Sequence, residues 1–215
     1  MTEVEIGIYM HRWSELQVRA IESIARHTKR HQYSILVTQQ PGNCHENMNR
    51  LWRRFSARYA VMMDEDVVVL QDGWLDALIG ALESDSELGV VGCSEVKTLP
   101  PSVPEPANTS LSYRSWVPAY VMAFDRERVP FLLFDEGIPG AMGMTDLDAC
   151  LQILDKGLRV ASHPEVLVFH PARDDDDVRR GEQRPALAEL KSWYPEQVAY
   201  MRMKWGGLFD RTMLR

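Results

Sequence analysis

Asp64 and Asp66 stand one residue apart inside an otherwise apolar run, Val61-Met62-Met63-Asp64-Glu65-Asp66-Val67-Val68-Val69-Leu70. Along a strand, side chains at i and i+2 point to one face, so this spacing aims two carboxylates together. Convergent carboxylates at a buried strand end are costly unless a cation or a donor-rich ligand meets them. Hard oxygen ligands of this kind suit Mg2+ or Mn2+, particularly where substrate phosphates complete the coordination. The plainer reading of an isolated D-x-D is a pair of turn-forming or helix-capping acids, and the flanking sequence decides between the two.

Those flanks predict a sheet. Val4 to Tyr9 reads as a strand, and Ser14 as the N-cap of a helix, with Gln17 three residues on and Trp13 and Val18 as a staple. Val18, Ile21, Ile24 and Ala25 form its expected buried stripe. Tyr33 to Thr38 is β-rich and closes in the turn material Gln39-Gln40-Pro41-Gly42-Asn43. His45 to Arg58 reads as a second helix, and Tyr59 to Leu70 contains the strand with the two aspartates. Asp72 is placed to cap a third helix, with Leu75, Leu78, Ile79 and Leu82 on its apolar face, before a buried strand from Leu88 to Cys93. Strand–helix alternation predicts an α/β layer fold with a largely parallel sheet, whose ligands bind beyond the carboxyl ends of the strands.

Residues 98–109 are proline-rich and read as a loop. Trp116 to Phe124 reads as a strand. Thr145 opens a helix, with Asp148 in the capping-box position, Leu147, Leu151 and Leu154 buried, and Gly157 as the stop. Arg159 to His170 holds two strand-like pieces around Pro164, and after Asp174-Asp175-Asp176-Asp177 the pattern is polar and helical to Trp205.

Composition sets outer bounds. The chain has 215 residues, 45% hydrophobic and 26% charged, which is ordinary for a globular protein. A net charge of −7 argues against general affinity for nucleic acid or anionic membrane. No apolar run approaches the roughly 18 residues of a membrane span. The acidic start Met-Thr-Glu-Val-Glu lacks the apolar core of a secretory signal. Cys44, Cys93 and Cys150 are widely spaced, which fits reduced thiols and a cytoplasmic location.

With the motifs in order, nearly the whole chain resembles a family 2 glycosyltransferase of the GT-A fold. Ile8-Tyr9-Met10-His11-Arg12 stands where that family's first strand ends. Asp64-Glu65-Asp66, followed by Gly73-Trp74-Leu75 and Gly89-Val90-Val91-Gly92, is similar to its D-x-D block. Phe134-Asp135-Glu136 resembles the segment before the acceptor site, and Thr145-Asp146-Leu147-Asp148 with Leu151 resembles the E-D-x-D-L helix start. Gly157-Leu158-Arg159, Pro164 and His170 match the strand that ends in a metal-binding histidine, and Tyr200 with Lys204-Trp205-Gly206 resembles a tail element of some members. Two departures stand out. Thr38-Gln39-Gln40 replaces the acid that usually holds the nucleotide, and Thr145 and Gln152 replace a glutamate and an arginine of the helix start.

The resemblance implies a Rossmann-like single domain with a central, mostly parallel mixed sheet flanked by helices. Residues 1–97 would form the nucleotide-sugar half, 110–172 the acceptor half, and 173–215 a loop and helical tail. It implies direct displacement with inversion, from a nucleotide-sugar donor to an acceptor hydroxyl. Asp146 would be the general base. Asp66 and His170 would hold a divalent cation, Mn2+ or Mg2+, which acts as a Lewis acid on the leaving diphosphate. Tyr9, Arg12, Thr38, Asn49, Asp64, Glu65 and Asp66 are the expected donor-site residues. Trp116 and Asp148 are expected on the acceptor side, although an acid in a helix's first turn also supports the helix by itself. The arginines after His45 read mainly as a solvated face, His163 as structural, and 173–184 as a loop that orders over bound donor. The acceptor is left open between a glycan, a lipid-linked sugar, a protein and a modified nucleic acid. Two other readings compete. A nucleotidyltransferase would carry a Gly-rich loop after the first strand, which Ile8-Tyr9-Met10-His11-Arg12 lacks. A degenerate binding module would have little reason to keep Asp64, Asp66, Asp146 and His170 together.

Overall fold

Every residue from Tyr59 to Met63 is essentially inaccessible to solvent, so the strand that carries the first aspartate is buried on both faces. A computed structural model of the protein describes residues 3–10, 15–39, 42–96, 110–170 and 187–213. Arg12, the Ser14 cap, the proline-rich loop and residues 173–184 fall outside them.

The first half is a strand–helix alternation: β1 (Glu3–Met10), α1 (Glu15–His27), β2 (Gln32–Gln39), α2 (Cys44–Arg54), β3 (Tyr59–Asp64), β4 (Val68–Val69), α3 (Trp74–Ser84) and β5 (Leu88–Val96). There follow β6 (Ser112–Arg114), β7 (Val121–Asp125), α4 (Thr145–Asp155), β8 (Arg159–Phe169), α5 (Leu187–Trp205) and α6 (Gly207–Met213). They build one eight-stranded sheet of order β2-β1-β3-β7-β5-β8-β4, with β6 also on β8. β1 runs parallel to β2 and β3, and β5 to β8, while β7 lies antiparallel between β3 and β5. Hence β1, β2, β3, β5 and β8 share a direction that β4, β6 and β7 oppose. The α/β fold with a mostly parallel mixed sheet is as the sequence pattern requires.

Alternation along the strands divides the core into two layers. Val4, Ile6, Ile8, Val61 and Met63 pack on one side with Ile24, Trp74, Leu75 and Leu78. Tyr9, Ala60 and Met62 pack on the other with Met48, Leu51, Phe55 and Ile153. Gly7 lets α2 approach closely, because a Cβ there would lie 2.5 Å from the Phe55 ring. Registry aligns the site end of the sheet: Tyr9 pairs with Thr38 on β2 and with Asp64 on β3.

Several local expectations change. The strand within Tyr59 to Leu70 carries only the first of the two aspartates. It stops at Asp64, and Glu65 and Asp66 form a turn before β4. Val18 is 45% exposed, and Leu16, Gln17, Ala20 and Ile24 form the buried face of α1 instead. The cap of α3 is Gly73, with φ 80°, while Asp72 pairs with His27. α4 is preceded by Met144 in the left-handed region, with no side-chain cap, and Asp148 turns inward. The capping box lies elsewhere, at Asn43 and Glu46 on α2. β7 begins at Val121 rather than Trp116. The two strand pieces around Pro164 form one strand with a register shift against β5.

Candidate active site

Asp64 ends β3, and the turn at Glu65 and Asp66 folds the chain back into β4, which pairs with the end of β8 through Val68 and Phe169. That pairing delivers His170, the next residue, to the two aspartates. Its Nε2 lies 3.3 Å from Asp66 Oδ1 and 3.8 Å from Asp64 Oδ2. One ligand atom from each of the three residues falls within a 4.8 Å span. The convergence of the carboxylates therefore comes from a turn and not from strand alternation. Two carboxylate oxygens and an imidazole nitrogen at this separation fit a divalent cation such as Mn2+ or Mg2+. Asp66 and His170 are buried and Asp64 is partly exposed, so the cluster has one open side.

Ala119 and Tyr120 join this cluster to Asp146. The Ala119 N–H donates to Asp146 Oδ2 at 3.2 Å. The next residue, Tyr120, accepts from the Asp64 N–H at 3.3 Å and stacks on the His170 ring with centroids 4.1 Å apart. The other Asp146 oxygen accepts from the Leu147 N–H at 2.9 Å. Burial pushes the Asp146 carboxyl above its ordinary range, while the Leu147 and Ala119 N–H groups pull it part of the way back. A carboxylate made more basic in this way is better matched to taking a proton near neutral pH. Asp146 opens onto a cavity of about 360 Å³ that also includes Trp116, 43% exposed.

Tyr9 and Thr38 are buried at the site end of β1 and β2, level with Asp64. Glu65 is buried within electrostatic reach of Cys44. Two expected ligand contacts lie elsewhere. Asn49 donates to Phe134 O at 2.6 Å and to Glu136 Oε1 at 2.8 Å, and accepts from the Phe134 N–H at 2.9 Å. It clamps α2 to the 134–136 segment, beside a separate cavity of about 630 Å³. Asp148 is fully buried. One oxygen accepts from Lys204 Nζ and Trp205 Nε1, each at 2.7 Å, and the other from Gln152 Nε2 at 2.8 Å. That environment fits a helix-supporting anchor and leaves no surface for an acceptor. The arginine face is solvated as expected, with Arg53, Arg54 and Arg58 exposed, although Arg58 also pairs with the buried Asp125 at 2.7 Å and Arg54 donates to Val37 O. His163 is buried and takes the Glu165 N–H on Nδ1, and burial holds its pKa below the usual value.

The sequence did not single out His45 for the site. Its Nδ1 lies 2.7 Å from Thr145 Oγ1, and burial lowers its pKa. The neighbouring Cys44 thiol is pushed up by burial to about 12, which keeps it protonated and removes it as a nucleophile. Tyr194 and Gln197, which line the Asp146 cavity, lie on α5 and reach it from about fifty residues downstream. No local pattern signals that docking except the paired glycines, Gly140 and Gly143. At Gly140, with φ 89°, a Cβ would lie 2.6 Å from the Trp193 ring.

No protein-family model matches the chain, and no curated protein matches it in sequence. Solved structures do match in fold. GalNAc-T7, solved with UDP, GalNAc and Mn2+, aligns with a TM-score of 0.63 at 11% identity, over 81% of this chain and 44% of that one. The Pyrobaculum calidifontis mannosyltransferase PcManGT, in complex with GDP-Man and Mn2+, gives 0.60 at 14% identity over 90% and 68%. S. aureus TarS 1-349 gives 0.60 at 9% identity over 94% and 73%. The chain therefore spans less than half of GalNAc-T7 and roughly seven tenths of the other two. These likenesses establish the GT-A glycosyltransferase fold. Among the described residues no helix is long and apolar enough to cross a membrane.

Proposed function

We infer that the protein is a metal-dependent, inverting glycosyltransferase of the family 2 type, which moves a sugar from a nucleotide-sugar donor to an acceptor hydroxyl. The observation that carries this is the Ala119–Tyr120 link, which holds Asp146 by one residue and Asp64 with His170 by the next. Proton acceptor and cation ligands are thereby fixed to one short segment, as a single displacement requires. The fold neighbours solved with UDP or GDP-Man together with Mn2+ support the donor class and the cation.

In this reading Asp66 and His170, with Asp64 beside them, would hold Mn2+ or Mg2+, which when bound supplies Lewis-acid stabilisation for a diphosphate leaving group. Tyr9, Thr38 and Glu65 line the donor side, and Trp116 the acceptor side. Asp146 takes the acceptor's hydroxyl proton as that oxygen bonds to the anomeric carbon. The bond from that carbon to the diphosphate oxygen breaks, and its electron pair leaves with the nucleoside diphosphate. The chain acts as one domain, with 1–97 serving the donor and 110–172 the acceptor. Its three buried free thiols support a reducing, cytoplasmic setting.

A thermal-shift panel of UDP-, GDP-, CMP- and dTDP-sugars, each with Mn2+ and with EDTA, tests this. A true donor at a hundredfold excess over Kd adds about 2.7 kcal/mol of apparent stability. One nucleotide class should shift the wild type only with metal, and Asp66→Ala and His170→Ala should lose that shift. Equal shifts in both variants would remove these residues from the cation site, and no shift with any donor would overturn the reading.

A further inference from the structure

The cavity beside Asp146 has a composition that speaks to the acceptor. Its walls are Trp116, Tyr194, Met142, Met144, Met213 and Leu147. Gly143, Asp146 and Gln197 complete the lining. Gln197 spends its amide N–H groups on Pro139 O and Met142 O, both at 2.7 Å, so what it offers a ligand is an oxygen. Asp146 and Gln197 both accept hydrogen bonds, the donors on the lining are the neutral Tyr194 hydroxyl and Trp116 indole N–H, and no basic side chain lines the cavity among the described residues. A hydroxyl is welcome at this end, and an anion would meet a carboxylate and apolar walls without a counter-charge.

The apolar walls narrow the class further. A sugar acceptor carries several hydroxyls besides the reacting one, and each costs free energy when it leaves water without a partner. Three methionines offer adaptable thioether surface, and sulfur makes favourable contacts with aromatic rings. Trp116 and Tyr194 are 43% and 48% exposed, and both large rings face the same cavity. Met144 holds φ 55°, a left-handed conformation that non-glycine residues rarely adopt, and it lines the wall. At about 360 Å³ the space lies near the small end of the roughly 300–1,000 Å³ typical of ligand sites. It suits a body of one or two rings.

We propose that the acceptor is a neutral hydroxyl, alcoholic or phenolic, carried on a planar aromatic body that seats against Trp116, Tyr194 and the methionines while the hydroxyl meets Asp146. This rests on the glycosyltransferase reading for its chemistry, but the binding itself needs neither donor nor metal. The test is equilibrium binding to the whole protein, with 4-methylumbelliferone as the aromatic probe, octanol as the aliphatic one and methyl glucoside as the sugar. The coumarin should bind most tightly. Trp116→Ala and Tyr194→Ala should each weaken it about tenfold, as expected for loss of one stacking ring. Mn2+-dependent nucleotide binding should be unchanged in both variants. Tighter binding of octanol or of methyl glucoside than of the coumarin would overturn the proposal, as would coumarin affinity indifferent to both substitutions. Aromatic binding without any nucleotide binding would sustain this site and overturn the donor reading, and the reverse result would do the opposite.

Discussion

His45 Nδ1 and Thr145 Oγ1 lie 2.7 Å apart although a hundred residues separate them in the chain. The contact ties the first turn of α2 to the first residue of α4, one position before Asp146. Where the resembling family carries glutamate, this chain has a hydroxyl already committed to a buried imidazole. Thr145→Val keeps the shape and removes the hydroxyl. It should cost about 1–3 kcal/mol, because the buried His45 nitrogen is left without its partner. Urea denaturation measures the loss, and a midpoint within error of the wild type would show the contact to be idle.

His45 and His163 are both buried and both held below the ordinary histidine pKa of 6.5 by that burial. The unfolded chain therefore binds protons that the folded chain refuses. The sign is fixed: stability is full above pH 6.5 and falls as pH drops below it toward the folded values. Denaturation midpoints between pH 7.5 and 5.5 should decline, and His45→Gln should flatten part of that slope. An unchanged slope in the variant would assign the effect to other groups.

The grouping of Asp64, Asp66 and His170 was legible in part from pattern and in part from resemblance. Asp64 and Asp66 break an apolar run, whereas His170 and Asp146 stood out only through the resemblance, each having a plain structural reading by itself. The chemistry of the two aspartates contradicts their surroundings, which is visible in one dimension. What was not legible depends on contacts between distant residues. Asn49 and Asp148 have the types and spacing of ligand contacts, yet tertiary packing turns one toward Phe134 and the other toward Trp205. The cap at Met144 could not be read either, since a methionine with positive φ has no sequence signature and is held by what packs around it. The α/β alternation survived these local errors because it rests on many buried strand residues and not on any one cap.

The anchoring of α5 provides a further test. Asp148 is fully buried, and Lys204, one of its partners, is 27% exposed and also reaches Asp135 at 2.6 Å. Asp148→Ala strands the Trp205 N–H and weakens the hold on the helix. The expected cost is about 3 kcal/mol, the lower end for breaking a buried charged contact because Lys204 keeps Asp135. Trp205 fluorescence should shift toward that of a wetter indole, while Mn2+ affinity stays within about twofold of the wild type. A large loss of Mn2+ binding would mean that Asp148 acts on the cation cluster and not on the helix.

Asp146 should separate binding from chemistry. Its carboxylate accepts two backbone N–H bonds and lines the cavity that holds Trp116 and Tyr194, while none of the groups proposed for the donor or the cation lines that cavity. Asp146→Asn keeps the shape but cannot take a proton, so transfer should fall by about 10²–10⁴-fold, the usual contribution of a positioned base. Nucleotide-sugar affinity in the presence of Mn2+ should stay near that of the wild type. Burial raises the Asp146 pKa, and only the ionised form can accept the proton. The acid limb of the wild-type rate profile should therefore lie above the ordinary carboxylate value of 3.8, with rates falling as pH drops through the raised pKa. In Asp146→Asn that limb should vanish along with most of the rate. A variant that kept both the rate and the limb would move the proton to another group.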